Sequence, residues 1–79
     1  MNVQDAVLAA MEDIFGIEPE ELMQNLDADL FENGIMDSLS VASLLNEISE
    51  ELDREISLND IDLEEFSTVN RLVKAIEKQ

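Results

Sequence analysis

A chain of 79 residues is enough for a single domain covering residues 1–79, and at that size folding buries only roughly 60–65% of the surface of the unfolded chain, leaving no room for a deep active-site cleft. Twenty Asp and Glu against four Lys and Arg give a net charge of −16, which repels nucleic acid and anionic membranes and attracts proteins with positive docking surfaces. The chain has no Cys and no His, so disulfides, a thiolate nucleophile and a Ser-His-Asp arrangement are excluded, and any thiol chemistry must come from a cofactor.

The N-terminal run Met1-Asn2-Val3-Gln4-Asp5 lacks the basic and apolar regions of a secretory signal, and no window reaches the length of a membrane span. A cytoplasmic protein without direct membrane insertion is therefore expected, and a monomer is expected alongside it. Val3, Val7, Met11 and Ile14, flanked by Ala6, Ala10 and Phe15, recur at helical spacing and predict a first helix over residues 3–15. Gly16 is a C-terminal stop, and Pro19 suits the first turn of a short helix through Glu20, Glu21 and Leu22. Residues 24–35 carry no sustained period and read as an ordered loop pinned to the core by Leu26, Leu30 and Phe31.

Val41, Leu44, Leu45, Ile48 and Leu52 form one apolar stripe from Ser38 onward, with Glu47, Glu50, Glu51 and Asp53 off it. Asp37 or Ser38 can cap this helix. Asp62 and Glu65 have the spacing of a capping box for a brief third helix ending near Phe66. Thr68 then caps a last helix built on Val69, Leu72, Val73 and Ile76, with Lys74 and Lys78 near its C-terminal end. The expected fold is all-α, a small bundle of three main helices plus one short helix. Phe15, Phe31 and Phe66 are the only aromatics and are assigned to the core. Asp27, Asp29, Asn33 and Gly34 suggest a calcium loop, but counting from Asp27 puts Glu32 where Gly is needed and Ser38 where a bidentate Glu belongs. No dedicated metal site is expected.

The segment Gly34-Ile35-Met36-Asp37-Ser38-Leu39 stands out because it opens an amphipathic helix in a very acidic chain. By itself Asp-Ser before a helix is an N-cap. A phosphate attached at such a junction would meet unpaired N–H groups and the positive end of the helix dipole, and an exposed junction lets another enzyme reach the hydroxyl.

In these residues the chain resembles the phosphopantetheine-dependent carrier proteins, whose Asp-Ser-Leu or Asp-Ser-Met serine bears the prosthetic arm. Within that family Leu30-Phe31-Glu32-Asn33-Gly34-Ile35-Met36-Asp37-Ser38 is similar to the Leu-Phe-Glu-x-Gly run of D-alanyl carriers, and residues 60–72 look like the same subfamily. Fatty-acid carriers usually have a small residue ahead of the Asp, and peptidyl carriers favour Gly-Gly-His-Ser or Gly-Gly-Asp-Ser. Two positions depart from the D-alanyl pattern: Phe66 stands where Trp is common, and Ser40 where Gly is common.

The resemblance implies an acyl-carrier-protein-like bundle with 4′-phosphopantetheine, derived from coenzyme A, attached to Ser38 by a magnesium-using phosphopantetheinyl transferase. It implies that Asp37 assists that encounter and that Leu39 is an apolar docking contact. Glu47, Glu50 and Glu51 are either a solvated face or part of a docking surface. The chain would be a non-catalytic carrier of a thioester, loaded with D-alanine by an activating ligase and unloaded by a membrane acyltransferase system toward teichoic acids in cell wall biogenesis. A carrier for fatty acid, polyketide or nonribosomal peptide synthesis is the alternative, and an unmodified acidic protein-binding module is the second.

Overall fold

A computed structural model describes residues 2–79. Four α-helices follow one another: α1, Val3–Phe15; α2, Pro19–Met23; α3, Ser40–Leu52; and α4, Val69–Glu77. Two 3-10 turns, Leu58–Asp60 and Leu63–Phe66, lie between α3 and α4. The long helices α1, α3 and α4 are the three main ones expected, α2 is the short turn expected after Pro19, and Leu63–Phe66 lies where the one short helix is expected.

Each helix begins and ends for a local reason. The Asn2 side chain accepts from Asp5 N–H at 2.8 Å and opens α1. Gly16, at φ 71°, closes it, its N–H donating to Glu12 O at 2.9 Å; a left-handed turn of this kind is nearly free for glycine. Pro19 occupies the first turn of α2, where the missing N–H costs nothing. Thr68 Oγ1 accepts from Arg71 N–H at 3.0 Å and starts α4, as the sequence predicts.

The core lies where α1 packs on α3 and α4. Val7, Met11, Leu44, Ile48, Phe66, Leu72 and Ile76 are sealed within it. Leu30 is buried from the 24–35 loop, with Leu26 and Phe31 packed against the core at its edge. The loop is held to α4 and to the segment just before it: Leu30 N–H donates to Ser67 O at 2.7 Å, Asn70 N–H to Leu26 O at 3.1 Å, and Asn70 Nδ2 to Asp27 Oδ1 at 2.8 Å. Asp27 is thereby committed to Asn70. Of the three Phe residues, Phe66 is fully buried and Phe15 and Phe31 are partly covered.

Two expectations are corrected. The brief helix ending at Phe66 is present as a 3-10 turn, but Asp62 makes no side-chain cap; only the backbone closes it, with Glu65 N–H donating to Asp62 O at 2.9 Å. Phe66 must reach the core and Thr68 must already cap α4, so the chain has room for one tight turn there. The helix expected from Ser38 becomes regular only at Ser40.

Candidate functional site

Residues 37–40 make the junction between the long loop and α3. Leu30 O accepts from both Ile35 and Met36 N–H at 3.0 Å, and Met36 is buried, so the chain enters the junction from an anchored position. Gly34, at φ 73° with open space around it, provides the preceding bend. Asp37 Oδ1 then accepts from Leu39 N–H at 3.0 Å and from Ser40 N–H at 2.8 Å, while Ser40 N–H also reaches Asp37 O at 3.2 Å. Asp37 N–H in turn donates to Ser40 Oγ at 3.1 Å. The result is a reciprocal cap with serine in the place usually held by Glu or Gln. Leu39 marks the helix boundary at right-handed dihedrals and brings no cap of its own.

Of the two cap candidates, Asp37 takes the role. Ser38 is exposed, and among the described residues neither its hydroxyl nor its N–H enters a hydrogen bond. Leu39 is 87% exposed, the most exposed large apolar side chain among the described residues. Hydrogen bonds from the Ser40 backbone, the Ser40 side chain and the Leu39 backbone outweigh desolvation and hold the Asp37 carboxyl below its ordinary value of 3.8. It stays ionised at neutral pH beside the free serine.

One expectation changes here. A phosphate on Ser38 would not find the first helical N–H groups empty, because Leu39 and Ser40 already donate to Asp37. The dipole and the Ser38 N–H remain available to it.

The acidic residues of α3 divide. Glu50 and Glu51 are exposed, but Glu47 is half-buried and meets Asp13 of α1. A hydrogen bond shared with the Asp13 carboxyl, then desolvation, then repulsion from Asp13, Glu50 and Glu51 push Glu47 above its ordinary value of 4.5. Beside α3 an open groove of about 310 Å³ is lined by Ala42, Leu45, Asn46, Ser49, Glu55, Ile56 and Leu58. Its far wall is secured by Arg54 Nη2 donating to Ile76 O at 3.1 Å and by the Gln79 amide, which accepts from Ser57 N–H at 3.0 Å and donates to Ser57 O at 3.1 Å. Sequence reasoning missed this clasp, since no local spacing links residues 22 positions apart. Ser40 was also missed as a partner of Asp37, although the Asp37-x-x-Ser40 spacing carries the signal.

A small helical bundle that keeps one unpartnered hydroxyl at a fixed junction, between an ionised carboxylate and a bare leucine, is a surface for another enzyme to work on. The chain belongs to the family described as the phosphopantetheine attachment site, whose model matches residues 5–76. It is therefore a carrier protein whose cofactor is covalent 4′-phosphopantetheine, and such carriers are in general not catalysts themselves. Among curated proteins it is 41% identical over 75 residues to the D-alanyl carrier proteins of Bacillus cereus (strain B4264) and Bacillus anthracis (strain CDC 684 / NRRL 3495), covering 95% of this chain and 92% of each relative. No described helix is long and apolar enough to cross a membrane.

Proposed function

We propose that Ser38 is the attachment residue and that the chain carries D-alanine for transfer to teichoic acid. The observation that carries the assignment of Ser38 is its exposed, unpartnered hydroxyl beside an ionised Asp37. The residues fit the group: nothing covers Ser38, and the anchored loop before it and the capped helix after it fix the direction in which an arm would leave. When attached, 4′-phosphopantetheine supplies a thiol that holds an acyl or aminoacyl group as a thioester.

The chain's own residues hold and present. Asp37 keeps the junction rigid and keeps negative charge beside Ser38 through which it assists the transferase. Leu39 offers an apolar contact to whichever enzyme docks, and Glu50 and Glu51 add charge for encounter with basic surfaces. Glu47, turned toward Asp13, contributes to that field from a less accessible position. With neither Cys nor His, the chain leaves bond-making to its partners. Those partners are the transferase, a D-alanine-activating ligase and a membrane acyltransferase system. The carrier works as a monomer, as one domain over residues 1–79, in the cytoplasm.

The D-alanyl reading is supported by the full-length similarity to D-alanyl carrier proteins. It is also supported by the groove beside α3, where Asn46, Ser49 and Glu55 stand among the apolar residues. Such a wall favours a short, charged aminoacyl group on an exposed arm over a long acyl chain seeking burial.

Intact mass after incubation with coenzyme A, magnesium and a broad-specificity transferase tests the site. The native chain is expected to gain one phosphopantetheine and Ser38→Ala none; an unmodified native chain, or a modified Ser38→Ala, rejects the assignment. Loading the modified chain then tests the cargo: success with a fatty-acyl loader and failure with a D-alanine-activating ligase would reject D-alanine.

A further inference from the structure

A second exposed apolar feature lies outside the Ser38 junction. Phe31 and Leu63 share a surface notch of about 260 Å³ with Asp29, Glu32, Glu64 and Ser67. Leu63 is 52% exposed although the neighbouring core positions Ile61 and Phe66 are buried, and Phe31 is only partly covered. Single exposed leucines are ordinary; two large apolar side chains meeting in a concavity are less so.

The notch is fixed in advance. Leu30 N–H donates to Ser67 O at 2.7 Å and joins its two sides. Asp29 Oδ1 accepts from Phe31 and Glu32 N–H at 2.9 and 3.0 Å, and Asn33 Nδ2 donates to Asp29 O at 2.7 Å. A surface already ordered loses little freedom when it is filled. Leu30 O also holds Ile35 and Met36, so the notch and the approach to Ser38 depend on one residue.

The rim identifies the occupant. Glu32 and Glu64 are exposed beside the apolar floor, no lysine lines the notch, and Arg71 directs Nη1 to Ser67 Oγ at 3.4 Å. An aliphatic side chain seated on Phe31 and Leu63 would place its flanking residues against Glu32 and Glu64, in a molecule of net charge −16. Cations are favoured there, and an acidic segment or anionic lipid is repelled. We propose that this notch docks a segment of a partner protein presenting one aliphatic side chain flanked by Lys or Arg. The inference rests on membership of the carrier family and not on which group is carried.

Amide NMR of the full chain, titrated with the peptide Lys-Arg-Leu-Lys-Arg and its counterpart Lys-Arg-Ser-Lys-Arg, tests it. The leucine peptide is expected to shift residues 29–32 and 63–67 saturably, and the serine peptide to bind about tenfold more weakly. Leu63→Gln should lower affinity for the leucine peptide by about the same factor, and Glu64→Lys should flatten its salt dependence. Leu63 is exposed enough for its variant to keep the fold, which unchanged amide positions in α1 and α4 verify. Equal shifts from both peptides, spread along α3 around Glu47, Glu50 and Glu51, would overturn the proposal, as would undiminished binding by Leu63→Gln. Neither result depends on D-alanine loading.

Discussion

Asp37 and Ser38 are adjacent, both polar and both exposed, yet they do opposite things. Asp37 gives its carboxylate to two backbone N–H groups and receives Ser40 in return, so the helix start depends on it. Ser38 gives nothing to the fold, and that frees it for chemistry. Asp37→Ala should therefore lower stability, as the loss of a helix cap does. Ser38→Ala should stay within about 0.5 kcal/mol of the parent. Urea unfolding of the two variants measures the difference, and equal losses would show that the two residues share the cap. The spacing of Asp37 and Ser40 was readable, but the choice between Asp37 and Ser38 as cap was not. It depends on how Leu30 orients the incoming chain, and that is a contact outside the motif.

At the scale of elements, periodicity sufficed for α1, α3 and α4 because each buries one stripe in the common core centred on α1. It failed at residues 58–60 and 63–66, where turns of three and four residues are too short to express a period. The C-terminal end of α3 also departs from simple expectation. Asp53 stands in the left-handed conformation at φ 53°, with its N–H donating to Glu50 O at 3.2 Å and Arg54 N–H donating to Ser49 O at 3.1 Å. That is a Schellman arrangement with aspartate where glycine is usual, and with a negative charge at the negative end of the helix. Asp53→Gly should raise stability by about 1 kcal/mol, seen as a higher urea midpoint at unchanged slope. A lower midpoint would mean that Asp53 makes a compensating interaction.

The whole molecule places a net charge of −16 on a body no longer than 27 Å. Many of its carboxylates thus lie within about one screening length, ~10 Å at 0.1 M salt, of one another. Two titrations stand out against this background, and they act in opposite directions. Glu47 has a raised folded value, so its contribution to stability is present below its ordinary 4.5 and is lost as pH rises through the raised value. Asp37 has a lowered folded value, so its contribution is present above its ordinary 3.8 and is lost as pH falls through the lowered one. Stability should therefore rise as pH is lowered from neutral towards 4.5 and fall as pH is lowered further below 3.8. General neutralisation of carboxylates adds to the rise, so the comparison that isolates the Glu47 contribution is Glu47→Gln, which should flatten it. A rise of full size in that variant would assign it to the global charge alone.

By itself the sequence determined the helical class, the three main helices, the anchoring residues of the long loop and the run around Ser38. All of these are written in local spacing and in which side chains avoid water. Only the tertiary structure decided that Asp37 rather than Ser38 caps α3, that Glu47 turns to Asp13, that Gln79 clasps Ser57, and that Phe31 and Leu63 share a notch. Each of these joins residues whose proximity comes from packing of the bundle, or depends on a chain direction set by a remote hydrogen bond, and neither leaves a periodic trace in the chain.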